Sequence, residues 1–251
     1  MSQSQNQKSY ELVAHRGYPH LYPENTRLGF EKAIEAGAKY IETDLQISAD
    51  GVPVIFHDQT LNRLCGCSGV VHRTLKADLD RLSPCEPGRF GNRFKGVRFM
   101  DLNDMVQLLA KNTEVTLYLE IKRISLKAFK LYEVISAIFP ILEPVKDRVV
   151  LISFSLLALK AAKARGWQRL GPVLSRWSDI SRSTVVNLEP EVIFINYRRL
   201  PIGVHYEHPD TALAFYEISD PKLALSLVNR GAKFIETDAI GEMLEARISN
   251  D

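Results

Sequence analysis

Short apolar runs broken by polar loop residues recur along the chain, and most alternate with stretches of helical spacing. Residues 12–14 form an apolar run that stops at His15-Arg16-Gly17, as a buried parallel strand does on entering a loop. The spacing of Leu28, Phe30, Ala33 and Ile34 predicts a helix, with Asn25 or Thr26 as its cap and Gly37 at its end. Between the two capping candidates, Asn25 is given the role. Residues 40–47 predict the second strand, in which Glu42 and Asp44 project from one face. Asp50-Gly51 is a turn signal. Residues 52–56 return as a hairpin partner and deliver His57-Asp58 back near the strand ends.

From residue 59 to about 100 the periodicity is weak, and glycine, proline, arginine and cysteine are scattered, which predicts an inserted excursion. Residues 102–109 resume helical spacing, and 115–121 predict a strand with Glu120 and Lys122 on one face. A helix over 128–139 is expected to stop at Pro140. Further strands are predicted at 149–153, 170–174, 192–195, 213–218 and 234–238. The helices between them are 156–165, ended by Gly166, and 221–229, capped by Asp220 and ended by Gly231. The segment 198–211 is too irregular for a full helix, so the sixth unit should be degenerate. About eight strands separated mostly by helices imply a parallel sheet. At 251 residues the natural closure is an α/β architecture, the (β/α)8 TIM barrel. The expected organisation is a single domain over 1–251 with a small insertion, 59–100, after the second strand. An internal echo supports closure: GAKYIETD at 37–44 recurs as GAKFIETD at 231–238.

Charge changes the picture little. The net +2 and the lack of any like-charge block argue against nucleic acid as partner. The first ten residues are polar without an apolar signal core, and no apolar run is long enough to span a bilayer, so no stable membrane insertion and a cytoplasmic location are expected. Cys65, Cys67 and Cys85 are too few and too oddly spaced for a disulfide framework. With His72 they suggest zinc only weakly; plain reduced thiols are favoured.

The chemistry gathers at strand ends. Glu42, Asp44 and Glu120 each sit near the C-terminal end of a predicted strand, the rim where barrel enzymes build their sites. Three converging carboxylates suit a hard divalent cation, Mg2+ or Ca2+. Lys122 offers a positive charge for a phosphate or a salt bridge. His15 and His57 close two different apolar runs and suit general acid and base work near neutral pH. Arg16 presents a planar fork for phosphate oxygens. Glu24 can buttress a histidine or join the metal shell.

As a set, His15-Arg16-Gly17, Pro23-Glu24-Asn25-Thr26, Glu42-Thr43-Asp44, His57-Asp58 and Leu119-Glu120-Ile121-Lys122 resemble the glycerophosphodiester phosphodiesterase family, in order and in spacing. The resemblance implies a TIM barrel that hydrolyses a small-molecule glycerophosphodiester to sn-glycerol 3-phosphate and an alcohol. By the same resemblance His15 and His57 are catalytic, Arg16 binds phosphate, and Glu42, Asp44 and Glu120 bind a divalent metal. Glu24, Asn25 and Asp58 would support them. Two departures stand out. The family's Trp-Thr-Val-Asn-like run on the seventh strand is here Tyr216-Glu217-Ile218-Ser219, in which Tyr216 can wall the glycerol side, and the last strand carries Glu236 where the family often has an apolar or small residue. Two other readings remain: the same chemistry on lysophospholipids or phosphoinositides, and a barrel that binds metal and phosphate without turnover. The excursion is expected to cover the rim and help select the alcohol.

Overall fold

The computed structural model describes residues 9–203, 205–206 and 211–248. Its strands form one sheet. In chain order they are β1 (Glu11–His15), β2 (Tyr40–Ile47), β3 (Pro53–Ile55), β4 (Met100–Asp101), β5 (Thr116–Ile121), β6 (Val149–Ser153), β7 (Leu170–Leu174), β8 (Val192–Asn196), β9 (Ala212–Tyr216) and β10 (Phe234–Thr237). Strands β1, β2 and β5–β10 are parallel neighbours, and β1 pairs with both β10 and β2, which closes an eight-stranded barrel. Helices Arg27–Glu35, Leu102–Lys111, Leu131–Leu142, Leu156–Ala164 and Pro221–Asn229 occupy crossovers. No helix among the described residues is long and apolar enough to cross a membrane.

The two faces of each barrel strand meet two different cores. Leu12, Ile41, Leu117, Leu119 and Leu151 pack outward in the large core shared with the helices. Val13, Tyr118, Val150, Ile152, Phe194 and Phe234 form a second core enclosed by the strands. Tyr118 plugs it: its ring lies edge-on to Phe194 and Phe234, at 5.0 and 5.8 Å, and stacks on Tyr40 at 6.1 Å. Inward positions recur every second residue. One step beyond Val13, Tyr40, Tyr118 and Phe234 they are therefore His15, Glu42, Glu120 and Glu236. An aromatic floor thus carries a polar layer at the C-terminal ends of the strands, where barrel sites form.

β2 overhangs the rim. It pairs with β5 from Tyr40↔Thr116 to Leu45↔Ile121, and its last residues pair antiparallel with β3. The excursion follows β3 rather than β2 itself and returns as β4, which pairs with β3. It has a small core of its own, in which Val54, Phe56, Leu61, Leu64, Val71, Leu79 and Phe99 pack together. Cys65, Cys67 and Cys85 are free thiols at or near this core. No cysteine belongs to a potential metal group among the described residues.

Several expectations need correcting. Thr26, not Asn25, caps the first helix, its hydroxyl accepting from the Gly29 N–H at 3.1 Å. The helix expected over 128–139 is two pieces, Arg123–Ala128 and Leu131–Leu142, and the second runs through Pro140. Pro140 is exposed in the last turn, while Ile138 and Leu142 on the opposite side stay buried and hold that turn to the core. Strand β9 ends at Tyr216, because Glu217 turns to a φ of 66°. The degenerate sixth unit falls partly on residues 204 and 207–210, outside the described residues; before them only a short 3-10 turn, Tyr197–Arg199, follows β8.

Candidate active site

The sharp exit from β1 places the first pair of side chains. Arg16 adopts a φ of 53° and Gly17 a φ of 92°, so the chain reverses direct from the strand end. A Cβ on Gly17 would lie 2.8 Å from the Gly29 carbonyl carbon, so the loop packs against the first helix only with glycine there. His15 and Arg16 are thereby held over the barrel mouth. They line a cavity of about 340 Å³ together with Glu42, His57, Glu120, Lys122, Tyr216 and Glu236. Every residue assigned from sequence to proton transfer, phosphate binding or metal binding lines this cavity, except Asp44, which lies beneath it, 1% exposed.

Glu42, Asp44 and Glu120 converge: one carboxylate oxygen from each lies within 4.8 Å of the others. Two cations and one amide hold Asp44. Lys122 Nζ is 3.0 Å from its Oδ1, Arg16 Nε is 3.0 Å from its Oδ2, and Asn25 Nδ2 donates to Oδ2 at 2.9 Å. Thr43 in turn donates to Asn25 Oδ1 at 2.7 Å, so Asn25 orients the cluster instead of the helix. Burial opposes ionisation of Asp44, but Lys122 and Arg16 outweigh it and hold its pKa well below the usual range. Glu42 goes the other way. Burial lifts its pKa well above the usual range, and Asp44 and Glu236 add to the rise. Its Oε2 is buried with no hydrogen-bond partner. An orphaned carboxylate oxygen beside two further carboxylates fits a divalent cation, which Glu42, Asp44 and Glu120 would hold. Lys122 is lifted above its ordinary range: burial pulls it down, and Asp44 and Glu120 more than offset that.

Each histidine is fixed by a carboxylate. His57 Nδ1 lies 2.7 Å from Asp58 Oδ1, and His15 Nδ1 lies 2.7 Å from Asp238 Oδ1. In both, Nε2 is left for the cavity. Burial and Arg16 depress the His15 pKa, but Glu236 and Asp238 reverse the sign and raise it. Behind His57 the chain of contacts continues. Arg63 donates to Asp58 at 2.8 and 2.7 Å and to Glu24 at 2.7 and 2.8 Å, and Glu24 accepts from Arg16 at 3.1 Å. Glu24 is therefore a buttress and not a member of the converging carboxylates. Buried Glu86 accepts the Glu24 backbone N–H at 2.7 Å. Arg63 and Glu86 both come from the excursion, which braces the site from behind and contributes no lining to the main cavity.

Four features were not assigned from sequence: Arg63, Glu86, Glu236 and Asp238. The first two lie in aperiodic sequence with no signal to find them. The last two were flagged by the echo, and closure of β10 against β1 gives them their place around His15. The far wall is Ile152, Phe154, Phe194, Asn196, Arg199 and Glu217. Glu217 is engaged by Arg198 at 2.6 Å and by Asn196 Nδ2 at 2.9 Å. Burial lifts the Tyr216 hydroxyl to a pKa of about 12, so it stays a hydrogen-bond donor.

Fold and site together define a parallel α/β barrel whose rim carries paired histidines, a buried carboxylate cluster and two cations. Residues 15–181 match the model of the glycerophosphoryl diester phosphodiesterase family, and the chain belongs to that family. It is 31% identical over 162 residues to a glycerophosphodiester phosphodiesterase of Caldanaerobacter subterraneus, an alignment that spans 61% of each protein. It is 32% identical over 116 residues to bovine glycerophosphodiester phosphodiesterase 1, across 46% of this chain and 35% of that one. The structure of an Oleispira antarctica phosphodiesterase in complex with the product sn-glycerol-3-phosphate superposes with a TM-score of 0.82, at 25% identity, over 95% of this chain and 96% of that one.

Proposed function

We propose that the chain hydrolyses glycerophosphodiesters to sn-glycerol 3-phosphate and an alcohol, with a divalent metal, Mg2+ or Ca2+, held by Glu42, Asp44 and Glu120. The observation that carries this is the pair of carboxylate-fixed histidines in one cavity with the Glu42–Asp44–Glu120 cluster. The names of the Caldanaerobacter and Oleispira proteins support the same substrate class. When bound, the metal supplies positive charge that polarises a phosphate oxygen. Arg16 and Lys122 neutralise charge growing on the phosphate oxygens in the transition state. The free glycerol hydroxyl next to the ester is a nucleophile at high effective concentration, and its attack gives a cyclic phosphate that water opens. One histidine takes the proton from that hydroxyl through Nε2, and the other gives a proton to the departing alcohol. Asp58 and Asp238 keep the two rings in the tautomer this needs. Tyr216 walls the glycerol side and donates its hydroxyl. Three free thiols fit a reducing compartment, so we assign the protein to the cytoplasm.

The test is release of sn-glycerol 3-phosphate from glycerophosphocholine, glycerophosphoethanolamine and glycerophosphoinositol, with lysophospholipids and phosphoinositides run alongside. Turnover of the acylated substrates alone would move the activity to lipids. Binding of glycerol 3-phosphate without turnover of any diester would make the barrel a binding protein.

A further inference from the structure

The last barrel strand brings in a carboxylate that the reaction above does not use. Glu236 is 3% exposed and lines the main cavity. No hydrogen bond or ion pair engages its carboxylate among the described residues. A buried carboxylate is costly unless a cation takes it. One ligand atom each from His15, Glu42 and Glu236 lies within 4.8 Å of the others. Asp238 accepts from His15 Nδ1, which turns the Nε2 lone pair inward, 3.9 Å from Glu42 Oε2. A carboxylate behind a histidine whose other nitrogen faces an acidic pair is the arrangement that orients histidine as a metal ligand.

We propose that His15, Glu42 and Glu236 form a second cation site, beside the Glu42–Asp44–Glu120 site and sharing Glu42 with it, and that an ion bound there withdraws His15 from proton transfer. The donors are one imidazole nitrogen and carboxylate oxygens, a set that takes Zn2+ or Mn2+ in preference to Mg2+ or Ca2+. The ion would take the Nε2 lone pair, the atom His15 needs for proton transfer. The site stands on geometry alone; only its inhibitory effect rests on the phosphodiesterase reading.

The test is a Zn2+ titration of the full chain by calorimetry, in saturating Mg2+ to occupy the all-oxygen site, with zinc inhibition measured in parallel. The wild type should bind one zinc. Glu236→Gln should weaken it by about 100-fold and Asp238→Asn by about 10- to 100-fold, the range for removing groups that hold or orient a ligand. Zinc should inhibit the wild type at concentrations that leave the Glu236→Gln rate, relative to its own zinc-free rate, unchanged. Equal zinc affinity in wild type and both variants overturns the proposal, as does no zinc binding by the wild type. Circular dichroism confirms that each variant is folded, and Asp238→Asn carries the test if Glu236→Gln is not. Zinc binding that depends on Glu236 in a protein with no diesterase activity would keep the site and discard the reaction.

Discussion

Replacing Lys122 by methionine removes one positive charge from the centre of the carboxylate cluster. Its Nζ lies 3.0 Å from Asp44 and 3.3 Å from Glu120, and the side chain is 16% exposed. Breaking a buried ion pair from one side costs about 3–5 kcal/mol, because the partner is left uncompensated. Two features reduce that here. Asp44 keeps Arg16 and Asn25. Glu120, whose pKa burial already raises, can take up a proton. A loss of about 2–3 kcal/mol near neutral pH follows, or about 4–12 °C in Tm for a chain of this size. The sign with pH is fixed. Without Lys122 the Glu120 pKa in the folded state moves further above its unfolded value, so the variant loses stability as pH rises from about 4 through that folded pKa. The deficit should be larger at pH 8 than at pH 5. A divalent ion at about 100 times its Kd returns about 2.7 kcal/mol, and with the competing ammonium gone it should raise the Tm of the variant more than that of the wild type. The assay is thermal unfolding followed by circular dichroism, at both pH values, in EDTA and in excess Mg2+. A deficit that ignores both pH and metal would refute the electrostatic account of the cluster.

Other perturbations separate the remaining parts. His15→Ala and His57→Ala should each lower kcat by about 100-fold or more while leaving Mg2+ affinity at the Glu42, Asp44 and Glu120 carboxylates largely intact, checked by kinetics and calorimetry. A nitrophenyl ester, with a good leaving group, should rescue whichever histidine is the acid and not the other. Arg63→Met should weaken the support of His57 and flatten the acid limb of stability. Glu24 and Asp58 have pKa values lowered below the unfolded range, so their stabilisation is present above about pH 4 and lost as pH falls through the folded values. A plot of Tm against pH from 2 to 7 for the variant, if parallel to that of the wild type, would remove Arg63 from this role. Gly17→Ala should lower Tm and kcat together, because the new Cβ meets backbone of the first helix and must displace the loop that carries His15 and Arg16.

Much of the fold is legible as pattern, because parallel strands buried on both faces read as apolar runs and their helices as amphipathic spacing. The candidate site residues are legible for a related reason. Inward positions repeat every second residue, so a polar residue two places beyond an inward apolar one at the end of such a run faces the barrel mouth. Pattern alone does not settle choices between neighbours. Asn25 and Thr26 are both good caps in isolation, and the decision came from Asp44, nineteen positions away, which takes the Asn25 amide. Pro140 stops a helix on local grounds, yet burial of Ile138 and Leu142 carries the helix past it. Arg63 and Glu86 lie in a stretch without periodicity, and the tertiary meeting of the excursion with Asp58 and with the segment 23–25 gives them a role. The echo at 231–238 marks Glu236 and Asp238, but their placement around His15 needs closure of the ring, a contact across more than two hundred residues.

The central claim, a metal-assisted diesterase built from His15, His57 and the Glu42–Asp44–Glu120 cluster, meets its most direct test in one measurement. It is the rate of sn-glycerol 3-phosphate release from glycerophosphocholine, in EDTA and after Mg2+ or Ca2+ is restored, for the wild type and for Glu42→Ala, Asp44→Ala and Glu120→Ala. The account predicts turnover by the wild type that EDTA abolishes and metal restores, and variants whose activity recovers in part at high metal. Full activity in EDTA, or carboxylate variants with the metal dependence of the wild type, would contradict it.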